Sequence, residues 1–322
     1  MPQLVKSAPP QSGGERLDLY LVRQGHAVSR RQARELIAAG RVLVNGHRCR
    51  KGRGVTGAEL VEVVQSSRDA PALAPNPELP LEVLYQDAAI LVVNKPGLLP
   101  SHPLREGETA TLMNAVAARF PQAAMAGGKP LEGGLVHRLD NGTSGAIMVA
   151  LTNDSFTHLR SALRNNEIDR CYLALVEGAL EGPLELNAPI AHHPRNRRKM
   201  TVVDNPGLAA KLKARPAATL VKPIRRIGRF TLVEVTPRTG NRHQIRVHLA
   251  AAGFGLAGDG LYGGPPAAAL PSGRFFLHLA ELRIPQTHGR KPAQPVTRGE
   301  PGLVVKAPLP ADLQATIVEF GG

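Results

Sequence analysis

The first fifty residues contain two stretches with apolar residues at helical spacing, followed by a short apolar run and a tight turn. The helical stretches cover 17–22 and 31–39, and Gly40 is of the type that commonly follows the end of a helix. Asn45-Gly46 lies between the apolar run 42–44 and the segment that begins at His47, which indicates a β-hairpin. The pattern predicts a small unit of two helices and a hairpin.

Proline and small polar residues dominate 65–80, where large apolar side chains are scarce. This composition is typical of a semi-extended linker between domains. Residues 1–14 are also polar and contain Pro and Gly. We therefore predict a disordered tail over 1–14, the small unit over 15–64, a linker over 65–80 and a second domain over 81–322.

The second domain mixes short apolar runs with amphipathic stretches. Strands are predicted over 81–85, 90–94, 146–150, 171–177, 219–226 and 229–236, and helices over 111–120, 154–164 and 241–252. Because strands and helices do not alternate strictly, the pattern disfavours a doubly wound parallel sheet. It predicts an α+β fold with a mixed, largely antiparallel sheet and flanking helices.

The charge balance indicates what kind of partner the protein binds. Its 322 residues carry 40 Lys and Arg against 26 Asp and Glu, a formal net charge of +14. Such a charge favours a polyanionic partner, and nucleic acid is the first candidate because phosphate neutralisation gives affinity that does not depend on sequence. No long basic amphipathic helix is visible, which disfavours a membrane surface.

Several other classes of protein are disfavoured by missing patterns. Cys49 and Cys171 are far apart in the chain, so we expect neither a disulfide framework nor a cysteine-rich zinc site. No apolar run approaches the ~18 residues of a membrane span, and residues 1–14 lack the apolar core of a signal peptide. No phosphate-binding loop, dinucleotide-binding glycine pattern or zinc-protease pattern occurs. We expect a cytoplasmic, soluble protein without a metal site.

One segment carries a candidate catalytic carboxylate: His137-Arg138-Leu139-Asp140-Asn141-Gly142-Thr143-Ser144-Gly145. Asp140 lies in a turn just before an apolar run, and catalytic side chains are common where a loop meets a rigid strand. An Asp in such a turn can also serve only as a turn cap. The segment resembles the HRLDxxTSG motif of RNA pseudouridine synthases of the RluA type. This resemblance implies that Asp140 is the catalytic aspartate.

Three further segments resemble the same family. Residues 94–103 resemble its NKPxGLxxHP segment, which we interpret as a structural turn. Residues 169–178 resemble the strand that supplies the active-site tyrosine, so the resemblance implies that Tyr172 contacts the target base; core packing is the alternative. Residues 239–248 resemble the TGRTHQIRVH motif, which implies that Arg246 pairs with the catalytic aspartate. A cation opposite a carboxylate favours its ionised form.

Three more residues are candidates for substrate binding. The resemblance implies that Arg138 occupies the space left by a flipped base, and a surface phosphate contact is the alternative. Asn241 and Arg242 stand where Arg and Thr are typical of the family motif. On a helix, Arg242 and Arg246 would share a face near its N-terminus, where anions are favoured. We include Arg242 and His243 in the substrate-binding set; a basic helix on RNA phosphates remains an alternative.

Two groups of cations are candidates for RNA contact. The order of helices and hairpin over 29–46 resembles the S4 RNA-binding domain, and a solvated basic face is the alternative. The basic loop over 192–200 resembles the family's HPxxRxKM segment. The candidate cations of these two regions are Arg30, Arg31, Arg34, Arg41, Arg195, Arg197, Arg198 and Lys199.

We therefore expect an RNA uridine isomerase that breaks the N1–C1′ bond of a flipped uridine and joins C5 to C1′. Nothing is oxidised and no group is added, so we expect no cofactor. Large-subunit (23S) ribosomal RNA is the expected substrate, because an S4 domain joined to this catalytic type often serves rRNA; tRNA remains open. The alternatives are a non-catalytic RNA-binding or ribosome-assembly factor and a hydrolase that releases free uracil. The sequence does not indicate an oligomeric state.

Overall fold

The computed structural model describes residues 3–6, 14–24, 26–27, 30–50, 52–56, 59–65, 73–285 and 302–322. Within these ranges the chain forms an α+β fold whose larger sheet is almost entirely antiparallel. This confirms the fold class that the mixed pattern of strands and helices predicts.

The N-terminal unit contains two helices and six short strands. The helices are α1 (Leu17–Arg23) and α2 (Arg30–Ala38). The strands are β1 (Gln3–Lys6), β2 (Glu15–Arg16), β3 (Val42–Val44), β4 (His47–Arg48), β5 (Gly54–Val55) and β6 (Val61–Gln65). Asn45 and Gly46, between β3 and β4, have φ of 53° and 78°, as a tight hairpin turn of primed type requires. The predicted helices and hairpin are therefore present.

The first strand differs from the sequence prediction. Residues 3–6 fall in the segment predicted as a disordered tail, but β1 pairs antiparallel with β6 in the sheet order β1-β6-β3-β4. For these four residues the prediction of disorder is wrong. Backbone hydrogen bonds to an available sheet edge stabilise such a strand, and composition does not report them. Residues 7–13 and 66–72, which include much of the predicted tail and linker, lie outside the described residues.

The second domain is built on a nine-stranded sheet. Its strands are β7 (Glu82–Gln86), β8 (Ile90–Lys95), β9 (Ser144–Ala150), β10 (Asp169–Glu177), β11 (Leu184–Leu186), β14 (Thr219–Ile227), β15 (Phe230–Pro237), β16 (Leu277–Ile284) and β17 (Leu303–Lys306); β12 (Ile190–His192) and β13 (Met200–Val202) form a separate hairpin. The order is β11-β14-β15-β10-β16-β9-β8-β7, with β17 beside β16. Among these described pairs only β9 and β16 run parallel.

Six helices accompany the sheet in the described part of this domain. They are α3 (Leu112–Arg119), α4 (Pro121–Met125), α5 (Asn153–Arg164), α6 (Pro206–Leu212), α7 (Gln244–Ala251) and α8 (Ala311–Glu319). Every residue of β9 is buried, as its unbroken apolar run indicates. This buried strand gives the loop that precedes it a rigid base.

Helix α7 begins later than the sequence prediction placed it. The sequence pattern predicts a helix from 241, but α7 starts at Gln244, and His243 precedes it with φ of 53°. The Gln244 side chain accepts hydrogen bonds from the Thr239 hydroxyl at 2.7 Å and the Asn241 backbone N–H at 3.1 Å. These bonds stabilise a non-helical turn over 239–243. The prediction that Arg242 and Arg246 share a helix face is therefore wrong, because Arg242 precedes the helix.

Candidate active site

Asp140 lies at the end of the loop that enters β9. The Ser101 hydroxyl holds the preceding residue, since it donates to Leu139 O at 3.1 Å and accepts from Leu139 N–H at 3.3 Å. Thr143 N–H donates to Asp140 O at 3.0 Å and closes the turn. The Asp140 carboxylate remains 25% exposed while its backbone is held on both sides. This is the accessible but fixed carboxylate that the sequence motif suggests.

Arg246 on α7 binds two carboxylates at once. Its Nη1 donates to Asp140 Oδ2 at 3.2 Å. Its Nε and Nη2 donate to the two oxygens of Asp259 at 2.7 and 2.8 Å. Burial alone would lower the pKa of Arg246, but the hydrogen bonds and charge of Asp259, with those of Asp140, outweigh burial and raise it. The guanidinium is therefore a permanent cation held against Asp140.

Aromatic rings enclose the same guanidinium. The Cζ atom of Arg246 lies 4.1 Å from the centre of the Phe275 ring and 5.0 Å from that of Tyr262. Cations over aromatic faces are stabilised by the ring quadrupole. Together with the hydrogen bonds to both oxygens of Asp259, these contacts restrict the conformation of the Arg246 side chain.

His243 extends this arrangement toward Asp140. Its Nε2 lies 3.9 Å from Asp140 Oδ2, and its Nδ1 lies 2.9 Å from the Tyr262 hydroxyl. Burial lowers the pKa of His243 to about 4, although the charge of Asp140 acts in the opposite direction. The ring is therefore neutral near pH 7 and can exchange hydrogen bonds with a ligand without bringing a charge.

Tyr172 lies on β10, where the pairing with β16 shifts register between Cys171 and Tyr172. Irregularities of this kind redirect a side chain and are common beside active sites. The Tyr172 side chain is buried but lines the same cleft as Asp140. Burial raises the pKa of its hydroxyl, so the phenol stays protonated at neutral pH.

A cleft of about 710 Å³ brings five of the predicted site residues together: Arg138, Asp140, Tyr172, His243 and Arg246. This volume lies within the range of about 300–1,000 Å³ that is typical of ligand sites. The other cations lining the cleft are Lys129, Arg160, Arg164, Arg170, Arg215 and Arg238. These cations outnumber the two carboxylates of the cleft, Asp140 and Glu132, which suits an anionic ligand.

Three polar atoms of the cleft residues have no hydrogen-bond partner within the described part of the chain. They are His137 Nδ1, Thr143 Oγ1 and Arg170 Nε. Buried polar groups in native proteins are nearly always paired, so unpaired ones call for an explanation. A ligand in the cleft, or water ordered there, would account for them.

Arg242 is not among the cleft residues. It is exposed, and its Nη1 and Nη2 lie 3.4 Å from the backbone oxygens of Arg197 and Arg198. These two residues belong to the basic loop between β12 and β13, in which Arg195 is also exposed and Lys199 is half-buried. Met200 N–H donates to the Tyr262 hydroxyl at 2.8 Å, which connects this loop to His243. Arg242 therefore supports the basic loop.

In the N-terminal unit, three arginines converge on one carboxylate. Arg16, Arg30 and Arg34 lie 3.0, 3.3 and 3.0 Å from Asp18, whose side chain is only 4% exposed. The hydrogen bond from Arg16, followed by those from Arg34 and Arg30, holds the pKa of Asp18 well below its usual range in spite of burial. The guanidinium groups remain about half exposed, so an anion can still reach them.

The other two arginines predicted here to contact RNA have different surroundings. Arg31 is almost fully exposed and pairs with Glu35 at 2.9 Å. Arg41, at the start of the hairpin, is half-buried. Neither contacts Asp18 in the described ion pairs.

Sequence reasoning missed the contribution of Asp259 and Tyr262. Nothing in the local sequence of the turn over 258–263 indicates that Asp259 contacts Arg246. The one available signal is a lone Asp between two glycines. Lys95 was also missed: it is fully buried, and its Nζ donates to the backbone oxygens of Pro96 and Leu99 at 2.8 Å. Burial lowers the pKa of Lys95 to about 7, and the charge of Arg274 acts in the same direction.

The described residues contain no group of three or more His, Cys, Asp or Glu side chains arranged to hold a metal ion. Over the same ranges, no helix is long and apolar enough to cross a membrane.

Comparison with known proteins gives matches over both parts of the chain. Residues 89–251 match a family model described as RNA pseudouridylate synthase, and residues 15–61 match the S4 domain. "Ribosomal large subunit pseudouridine synthase D" of Xanthomonas campestris pv. campestris is 36% identical over 311 residues, which cover 95% of this chain and 89% of the relative. The protein of the same name in Pseudomonas aeruginosa is 35% identical over 274 residues, which cover 84% and 81% of the two chains.

A solved structure is also similar. Human RNA Pseudouridylate Synthase Domain Containing 1 superposes with a TM-score of 0.54 at 25% sequence identity, over 74% of this chain and 87% of the human one. The likeness extends beyond local motifs to the arrangement of the fold.

Proposed function

The chain belongs to the RNA pseudouridylate synthase family, and on this premise we propose that it converts uridine to pseudouridine in large-subunit ribosomal RNA. It is an RNA pseudouridine synthase that carries an S4 domain. The choice of large-subunit rRNA rests on the names of relatives that match most of the chain. With such a substrate, the protein would act in the cytoplasm.

The observation that carries the mechanism is the contact between Arg246 Nη1 and Asp140 Oδ2 at 3.2 Å, beside an open cleft. Isomerisation breaks the N1–C1′ bond, turns the detached uracil and joins C5 to C1′; C5 loses a proton and N1 gains one, so the composition is unchanged. A carboxylate next to the sugar can attack C1′ or remove a sugar proton, and both steps start from the ionised form. Arg246 supplies a positive charge opposite this carboxylate, with its Nη1 donating to Asp140 Oδ2.

Three cleft residues complete the proposed chemistry. Arg138 is exposed at the cleft and would fill the space left by a uridine turned out of its stack, a movement that costs about a few kcal/mol. The Tyr172 ring would lie against the extruded base, and its protonated hydroxyl would donate a hydrogen bond. His243, neutral and 3.9 Å from Asp140, would bind the nucleotide beside the carboxylate.

RNA binding is assigned to two basic regions. The arginines of α2 and the half-buried Arg41 would contact phosphates and sugars through the S4 domain. The exposed loop between β12 and β13 would contact the RNA backbone near the cleft, with Arg242 supporting that loop. Phosphate contacts of this kind fix the position of a protein on RNA without reading its sequence.

The test is a map of pseudouridine in host rRNA and tRNA, made by carbodiimide labelling and primer extension with and without the gene. We expect primer-extension stops in large-subunit rRNA that disappear when the gene is deleted and return when the wild-type gene is restored. The variant Asp140→Asn should fail to restore them. The matched control Asp154→Asn changes an exposed carboxylate on α5 and should restore them fully.

Each alternative predicts a different result. If primer-extension stops change only in tRNA, the substrate is tRNA and not large-subunit rRNA. Full rescue by Asp140→Asn would refute the catalytic assignment and favour a binding or ribosome-assembly factor. Release of free uracil from RNA by purified protein would indicate a hydrolase.

A further inference from the structure

The loop that follows Asp140 is held by a buried arginine outside the part of the chain matched by the synthase family model. Arg274 is 1% exposed, and its Nη1 donates to Gly142 O and, at 3.0 Å, to Phe275 O. Its Nη2 donates to Ser144 Oγ at 2.8 Å. Arg274 therefore holds the loop that carries Asp140 at two points, two and four residues after the carboxylate.

The carboxylate that compensates Arg274 comes from the C-terminal helix. Asp312, in the first turn of α8, accepts from Arg274 Nε at 2.7 Å. A second buried basic group is close by: Lys95 Nζ donates to Asn141 O at 3.3 Å. Removing the partner of a buried charge is strongly destabilising to its surroundings, because the charge stays out of water. Asp312 therefore offsets positive charge directly behind the Asp140 loop.

The same short segment also contacts Arg246. Phe275, the residue after Arg274, places its ring 4.1 Å from the Arg246 guanidinium. Two consecutive residues thus contact the loop of Asp140 and the cation that faces Asp140. A displacement of Arg274 and Phe275 would therefore change the distance between Asp140 and Arg246.

The surroundings of Arg274 leave it little room to move. A Cβ added to Gly97 would lie 2.5 Å from Arg274 Nε, so this loop approaches the guanidinium as closely as only glycine allows. His278 adds a second connection, because its Nδ1 lies 2.8 Å from Ser144 Oγ and its Nε2 lies 3.2 Å from Ala307 O. Ala307 directly follows β17 and precedes α8. The contacts of Arg274 with Asp312 and of His278 with Ala307 both join the Asp140 loop to the segment over 302–322.

We propose that Asp312 is a positioning residue for the reaction: through Arg274 it sets the placement of the Asp140 loop relative to Arg246. The inference rests on the proposed function, in which Asp140 is the catalytic carboxylate. It assigns a role to a segment beyond residue 251, where the match to the synthase family model ends.

The first part of the test is steady-state kinetics of Asp312→Ala on RNA that the wild type modifies. Misplacing a reacting group by about 1 Å can cost about a hundredfold in rate, so we expect kcat to fall by about tenfold or more. KM should stay within about threefold, because Asp312 does not line the cleft and its described ion pair is with Arg274 alone. Asp312→Glu retains the charge and should recover most of kcat.

The matched control is Glu319→Ala at the other end of α8. Glu319 also ties the helix to a loop, since its two oxygens accept from Ala268 N–H at 2.8 Å and Ala269 N–H at 2.9 Å. No described hydrogen bond joins Ala268 or Ala269 to Asp140 or to the Arg274 side chain. The control should leave kcat and KM at wild-type values while it loosens α8 to a similar degree.

The second part does not depend on activity. Thr143 N–H donates to Asp140 O at 3.0 Å and Leu98 N–H donates to Asn141 O at 2.7 Å, so their amide exchange reports the order of the loop. Hydrogen-exchange mass spectrometry should show faster exchange of peptides covering 96–99 and 140–146 in Asp312→Ala than in Glu319→Ala.

The outcomes separate this inference from the proposed function. Faster loop exchange with a lower kcat supports both. Unchanged loop exchange in folded Asp312→Ala overturns the inference, and so does faster exchange with kcat unchanged. If wild type forms no pseudouridine on any RNA while the exchange still responds, the proposed function fails and the coupling of α8 to the loop stands.

Discussion

Asp140 and Asp259 contact one guanidinium from two sides: Arg246 gives its Nη1 to Asp140 at 3.2 Å and its Nε and Nη2 to Asp259 at 2.7 and 2.8 Å. The two carboxylates differ in environment, since Asp259 is 2% exposed and Asp140 is 25% exposed. Asp259 therefore fixes the direction of the guanidinium, and Asp140 is left accessible to a ligand.

The first prediction concerns Asp259→Ala. Removing one partner of a buried ion pair costs about 3–5 kcal/mol, so the free energy of unfolding should fall by about this amount. With only Asp140 left to hold it, Arg246 should turn toward that carboxylate, and kcat should fall by about tenfold to a hundredfold. Urea unfolding and single-turnover pseudouridine formation measure the two effects.

The variant Asp259→Asn keeps the shape of the side chain and one acceptor oxygen, but it replaces the other oxygen with an NH2 group and removes the charge. Its free energy of unfolding and its rate of pseudouridine formation should both lie between those of wild type and Asp259→Ala. Equal stability of all three proteins would contradict the assignment of Asp259 as the residue that holds Arg246.

The second prediction separates the two interpretations of Arg138. If its side chain fills the space of an extruded base, Arg138→Ala should slow single-turnover reaction of a uridine in a stem by about tenfold or more. The same uridine in an open loop needs little unstacking, so its rate should fall far less. Arg164→Ala, another arginine of the cleft, serves as the control and should affect both RNAs alike. Equal slowing of both RNAs by Arg138→Ala would indicate a phosphate contact.

The third prediction concerns the S4 domain. The described ion pair of Arg31 is with Glu35 across an exposed helix surface, so Arg31→Ala should leave the melting temperature unchanged. RNA affinity should fall by about threefold to tenfold, and the salt dependence of binding should lose about one unit of slope. Filter binding at several salt concentrations gives the RNA affinity and its salt slope, and melting curves give the melting temperature.

In contrast to Arg31→Ala, the variant Asp18→Ala should lower the melting temperature. It leaves Arg16, Arg30 and Arg34 close together without their shared carboxylate, so the domain should lose stability through mutual repulsion and a lost buried partner. A melting temperature that equals that of wild type would show that this carboxylate does not organise the three arginines.

The fourth prediction is a loss of stability in acid. Burial is the largest cause that lowers the pKa of His137 to about 3 and of His243 and His278 to about 4, against an ordinary value of 6.5. The unfolded chain therefore takes up these protons at higher pH than the native one. Their contribution to stability is complete above about pH 6.5 and is lost as pH falls toward 4.

Melting temperatures measured from pH 7.5 to 4 test this expectation. Wild type should melt at progressively lower temperature below pH 6.5. His278→Asn removes one buried ring and should flatten the curve, whereas His192→Asn changes an exposed ring and serves as the control. An identical pH dependence in wild type and His278→Asn would contradict the prediction.

The sequence alone predicts most of the regular structure. Strand β9 follows from an unbroken apolar run and β15 from a stretch rich in apolar and β-branched residues. The hairpin about Asn45 and Gly46 follows from two residues that tolerate positive φ. These signals are local, because they depend on side chains a few positions apart and on the backbone preference of single residues. The resemblance to a known motif was needed to single out Asp140 and to pair it with Arg246.

What the sequence left undetermined depends on bonds between distant residues. The start of α7 is decided by the Gln244 side chain, which caps the turn before it and leaves Arg242 outside the helix. Strand β1 exists because β6 offers a free edge, which composition does not report.

The charged partners behind the active site were decided by tertiary structure alone. Arg246 lies 106 positions from Asp140 and 13 from Asp259, and Arg274 lies 38 positions from Asp312. Local spacing carries no information about which carboxylate a given arginine meets. The fold chooses the partner, because a guanidinium removed from water must take the carboxylates and carbonyls that the packed chain brings within reach.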